Sequence, residues 1–319
     1  MKTKNLNSIL IYCLIVNIFC TLSSCSDKQN VEQNIINKKH VTINPTQAHH
    51  QSDFLNELSV IKASFSQIPN TNSTNQNQPG NNDQLQEQKK NILKADLEGA
   101  KEGWKEGFTA GGIVGELMAG QGAAGAVLGG LIGSVTYGAS ASIQKANESD
   151  STNCSYHNID DVVALTLFDE LTCGNVGYYH NYIITTMNIT GNLIADRTPI
   201  QIFDDVYTAA NELDIDLNDD IHDYLYSHAP ESFLNLDNRT HPIDEQLDID
   251  LADLITDDYI DYIFTINPDD VENYTYELMQ LIEDYFENSE MPMMVHLLNS
   301  SISVGYYSYL LWNIEVNNL

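Results

Sequence analysis

The chain is 319 residues long and carries 45 acidic residues against 14 basic ones, for a net charge of −31. So negative a surface repels phosphate backbones and anionic headgroups, which excludes nucleic acid as a partner. The five cysteines show no zinc-ligand spacing.

Residues 1–24 read as an export signal: Lys2 and Lys4 give a positive start and an apolar stretch runs from Ile9 to Leu22. That stretch is shorter than the ~20 residues a membrane-spanning helix needs. It ends in Leu22-Ser23-Ser24-Cys25, which resembles the bacterial lipobox. The resemblance implies cleavage before Cys25, lipidation of its sulfur and acylation of the new amino group, as with palmitate. It also implies a place in the cell envelope, at the outer membrane, with the lipid anchor as the membrane contact. Cys13 and Cys20 leave with the signal, so Cys154 and Cys173 remain. Two cysteines in an exported chain suggest one disulfide, with two buried thiols as the alternative.

Residues 25–85 are rich in Asn, Gln, Ser and Thr, with one apolar patch near Phe54 to Ile68. The composition predicts a disordered tether.

Glycine then falls on every fourth residue, at Gly99, Gly103, Gly107, Gly111 and Gly115, and again at Gly125, Gly129 and Gly133. Each costs a helix about 1 kcal/mol relative to alanine, so the pattern needs a compensating gain, the close approach of two helix backbones. The segment 86–146 is therefore expected to be a helical hairpin that turns at Ala119-Gly120-Gln121-Gly122. Lys94, Glu98, Lys101, Glu102, Lys105 and Glu106 give its first arm a wet face, while Leu117 to Ile143 carry no charge. The second arm needs cover from the first arm, from another copy, which would make a homo-oligomer through the zipper, or from a membrane.

Residues 155–319 hold 32 acidic residues against Arg197 and Arg239 alone. They predict an acidic all-α domain suited to basic partners. Thr198-Pro199 and Asn267-Pro268-Asp269-Asp270 carry helix-start signatures, and Met291 to Trp312 reads as a buried core helix.

Within this region Gly174-Asn175-Val176-Gly177-Tyr178-Tyr179-His180-Asn181 is the most specific string, with Asn175 placed to cap a helix. Gly177, His180 and Asn181, taken with the glycine hairpin upstream, resemble uncharacterised Bacteroidota glycine-zipper proteins that carry a Gly-x-x-His-Asn segment. The resemblance spans roughly residues 90–190 and implies no activity. Asp214, Asp216 and Asn218 sit at the first, third and fifth positions of a calcium-type loop, but Asp219 and Leu225 replace the glycine and glutamate that such a loop needs. Calcium is thus a weak candidate, and no other cofactor is expected. His222, His228 and His241 lie near Asp223, Glu231 and Asp244, which permits a metal cluster on paper. Metalloprotease, P-loop and nucleophile-elbow signatures are absent.

The sequence therefore predicts a mostly α, non-catalytic, lipid-anchored envelope protein with a self-associating zipper and an acidic interaction domain. Two alternatives are a pore-forming protein, since the zipper resembles helices of two-peptide bacteriocins, and a calcium-responsive binding module.

Overall fold

A computed structural model describes residues 45–65, 81–119, 122–148, 168–187, 197–212, 219–236, 241, 243–244, 247–287 and 289–313. Among them 83% are helical and none is in a strand. The helices are α1 (Pro45–Ser64), α2 (Asn81–Ala119), α3 (Gly122–Glu148), α4 (Val176–Thr186), α5 (Pro199–Glu212), α6 (Asp219–His228), α7 (Ile249–Ile263), α8 (Val271–Phe286) and α9 (Met293–Asn313). The chain divides into residues 1–57 and 58–319, with α1 running across the boundary. The second unit holds the hairpin and every helix after it. The signal, Cys25, Cys154 and the Asp214, Asp216, Asn218 string lie outside the described residues.

Helices α2 and α3 form the hairpin, and its glycines pair in antiparallel register. A β-carbon on Gly103 would lie 2.6 Å from the carbonyl carbon of Gly133, and one on Gly107 2.6 Å from that of Gly129. Gly111 meets Gly125 in the same way, a β-carbon on Gly125 would sit 2.9 Å from Gly115 Cα, and one on Gly99 would sit 2.8 Å from Ala141 Cβ. Backbone touches backbone, and the gain in dispersion contacts offsets the propensity cost of each glycine. The stripes of the two arms close on each other, so of the three covers open to the second arm the first arm supplies this one within the chain.

The outer face of α3 is covered by α4, α5 and α9. Tyr137 on α3 packs edge-on against Phe203 and Phe233 at 5.9 and 5.1 Å, in a core that also holds Ile183, Ile184, Leu225, Val304 and Leu311. The hairpin and the acidic helices thus share one core instead of forming the separate domains 86–146 and 155–319. Two other expectations are corrected. Part of the expected tether is the helix α1, because the apolar residues around Leu58 recur at helical spacing. The face of α2 expected to be wet is so only in part: Lys94 is exposed and Glu98 and Lys101 half-buried, but Glu102, Lys105 and Glu106 are buried.

The alternating acids and apolar residues of α7 resolve into two faces. Leu251, Ile255, Tyr259 and Ile263 point into the core, while its aspartates meet lysines. Lys62–Asp258 and Lys90–Asp261 are both 2.6 Å pairs, Lys94–Asp257 is 3.5 Å, and Lys101 pairs with Asp253. The starts of the helices are set by local chemistry. Thr198 and Gln201 satisfy each other's backbone N–H groups in a capping box, and Asp248 accepts the Leu251 N–H at 3.0 Å.

Candidate functional site

The Gly-x-x-His-Asn segment lies where α4 crosses α9 and the hairpin. Gly177 must be glycine because a β-carbon would fall 2.5 Å from the Ser303 carbonyl carbon on α9. Its N–H donates to Ser303 Oγ at 2.9 Å, and that hydroxyl donates to the Gly174 carbonyl at 2.6 Å, which locks the start of α4 to α9. Asn175 does not cap α4 with its side chain, contrary to the sequence expectation; the bonds through Ser303 hold this end of the helix instead.

One turn on, His180 and Asn181 are buried. Asn181 Nδ2 donates to the Tyr307 carbonyl at 2.6 Å, which turns its Oδ1 toward His180 Nδ1 at 3.1 Å and places the ring proton on Nδ1. Nε2 faces Asp96 Oδ2 on α2 at 4.0 Å. That oxygen accepts from Ser142 Oγ of α3 at 3.1 Å and from Ser308 Oγ of α9. One buried junction therefore joins α2, α3, α4 and α9. Burial pushes the Asp96 carboxyl well above the usual carboxylate range despite its two serine donors. Burial lowers His180 to about 4, against a smaller opposing pull from Asn181 and the Gly138 backbone. His180 is therefore neutral at neutral pH, and burial favours the protonated form of Asp96. Aspartate, histidine and serine meet here, yet the serines donate to Asp96 and not to His180, so the order is not that of a nucleophilic triad.

A second cluster involves residues that sequence reasoning placed elsewhere. His241 and Asp244 do not join His222 or His228. His222 stacks on Tyr207 at 3.6 Å, and His228 stacks on Tyr224 at 4.0 Å. His241 instead meets Glu102 and Glu106 of α2. Its Nε2 is 2.7 Å from Glu102 Oε1 and its Nδ1 is 3.9 Å from Glu106 Oε2. Lys105 Nζ lies 2.7 Å from Glu102 Oε2 and 4.0 Å from Asp244 Oδ1. Asp244 Oδ2 accepts the His241 backbone N–H at 2.7 Å. Burial works to raise Glu102, but the hydrogen bond to His241 and the Lys105 ammonium hold it below the usual carboxylate range. The signal in the sequence was the Glu102-x-x-x-Glu106 spacing, which puts both carboxylates on one helix face.

Cys173 carries a free thiol, in a residue with φ of 61°, and its Sγ sits 3.4 Å from His296 Nδ1. Burial raises the thiol to about 12 and lowers His296 to about 4, so thiol and imidazole both stay neutral, the reverse of an activated thiolate.

The class defined by these observations is a mostly α protein built on an intrachain glycine zipper with a buried polar junction. Comparison with known proteins finds no matching family model, curated protein or solved structure.

Proposed function

We propose that the chain is a non-catalytic protein of the bacterial cell envelope, held by lipid at Cys25. In this reading the glycine hairpin is an internal spine, and the acidic helices form a surface for basic partners. The observation that carries it is the seam along α7, where four aspartates bind four lysines of α1 and α2. The acidic helix α7 already binds individual lysines from other helices of its own chain. Glu277, Asp284 and Glu287 repeat the charge on an exposed face where, among the described residues, they form no ion pair. Such complementarity steers encounter more than it adds affinity. The test is fractionation of cells that express the natural chain or Cys25→Ser. The natural chain is expected in the membrane fraction with acyl mass at its N-terminus, and the variant in the soluble fraction. Equal partition of the two contradicts the reading.

A second reading, a membrane-active hairpin, draws on Gly125–Glu148, a helix long and apolar enough to cross a bilayer. Its most apolar window is 89% buried inside the fold. The opposite arm would also bring Asp96, Glu102, Lys105 and Glu106 into lipid, at about 3 kcal/mol apiece on insertion scales. Dye release from vesicles by the full protein would favour this reading, and intact vesicles favour the spine.

A further inference from the structure

We propose that Glu102, Glu106 and His241, with Asp244 beside them, form a binding site for one first-row divalent cation of the Zn²⁺ class.

Glu102, Glu106 and His241 are each more than nine-tenths buried, and one ligand atom from each lies within 4.8 Å of the others. Two carboxylates four residues apart on α2 face an imidazole from the segment after α6, so the donors are fixed by a rigid helix and a distant stretch of chain. A mixed set of one imidazole nitrogen and carboxylate oxygens suits Zn²⁺ or Mn²⁺ and disfavours Mg²⁺ and Ca²⁺, which prefer oxygen alone.

Two features outside the three ligands fit a metal. Lys105 holds Glu102 through Oε2 at 2.7 Å and leaves Oε1 turned toward the imidazole, so its ammonium acts as an orienting partner and not as an occupant. Asp244 Oδ1 is a buried oxygen with no hydrogen-bond partner, while Oδ2 of the same carboxylate holds the His241 backbone. It lies 4.0 Å from Lys105 Nζ at the edge of the cluster, and the Asp244 side chain, 21% exposed, offers a route in. The site would pin the 241–244 segment to the hairpin and make the fold sensitive to metal.

The test uses the mature chain, stripped with a chelator and titrated with Zn²⁺ by calorimetry, beside His241→Gln and Glu106→Gln, which keep side-chain bulk. The natural chain should take up one Zn²⁺ per molecule, and each variant should bind about 10- to 100-fold more weakly. If a variant does not fold, the natural chain alone decides: Zn²⁺ should raise its melting temperature and a chelator should reverse the shift. Absence of stoichiometric uptake, variants that bind as tightly as the natural chain, or a melting temperature indifferent to Zn²⁺ would overturn the proposal. The cluster would then be a histidine–glutamate hydrogen-bonded pair only.

Discussion

Gly107 and Gly129 face each other across the two arms of the hairpin so closely that neither has room for a side chain. A β-carbon on Gly107 would lie 2.6 Å from the Gly129 carbonyl carbon, and one on Gly129 would lie 2.8 Å from Gly111 Cα. The obstacle on both sides is backbone, which cannot rotate away. One methyl group therefore moves a helix.

Gly107→Ala is accordingly expected to destabilise the fold by about 2–3 kcal/mol, because overpacking outweighs the ~1 kcal/mol gained in helix propensity. Gly112 is the control. A β-carbon there meets Ala126 Cβ at 3.6 Å, an ordinary contact. Gly112→Ala should therefore raise stability by about 0.5–1 kcal/mol, since only the unfolded chain loses freedom. Denaturant melts of the two variants give opposite signs if the register is right.

The buried junction makes stability depend on pH in two directions. His180 titrates near 4 in the folded chain and His296 does likewise, while unfolded histidine titrates near 6.5. As pH falls from about 6.5 toward 4 the unfolded state takes up protons that the folded state refuses, so stability drops, by up to about 3 kcal/mol for His180. His180→Gln should flatten that acid limb and leave the His296 share. Asp96 is shifted upward, so the stability it contributes is complete below the unfolded aspartate range and is lost as pH rises toward its folded value. Asp96→Asn should remove that loss and stabilise the protein at neutral pH. Chemical denaturation at a series of pH values reads both effects.

The ion pairs of the hairpin are unequal. Lys90 and Lys94 are partly exposed and pair with aspartates whose side chains are 69% and 61% exposed. Replacing either with alanine should cost less than about 1 kcal/mol, and the cost should fade in high salt. Lys105 is buried beside Glu102. Lys105→Ala leaves a buried carboxylate without its ammonium and should cost about 3 kcal/mol or more, with little salt dependence.

These contrasts also mark how much of the fold was legible in the sequence. The glycine period identifies the contact face because only backbone contact repays so regular a loss of side chains. Thr198 and Asn267 signal helix starts because their caps are local, and both hold. Non-local facts left no such trace. Lys94, Lys101, Glu102 and Lys105 look like any solvated face until α7 and His241 arrive from more than 130 residues away. Asn175 has the right residue type for a cap, but Ser303 on α9 supplies the bond instead. His241 lies close to other histidines along the chain, and tertiary packing takes it to α2.

The central claim is that the zipper closes within one chain in the 103/133, 107/129, 111/125 register. A paired substitution, Gly112→Cys with Ala126→Cys, tests it most directly, because the 3.6 Å separation of their β-carbon positions suits a disulfide. Mild oxidation of the full chain, followed by non-reducing electrophoresis and peptide mapping, should give a monomer with a bond between positions 112 and 126. A covalent dimer, or thiols that remain unlinked, would contradict it.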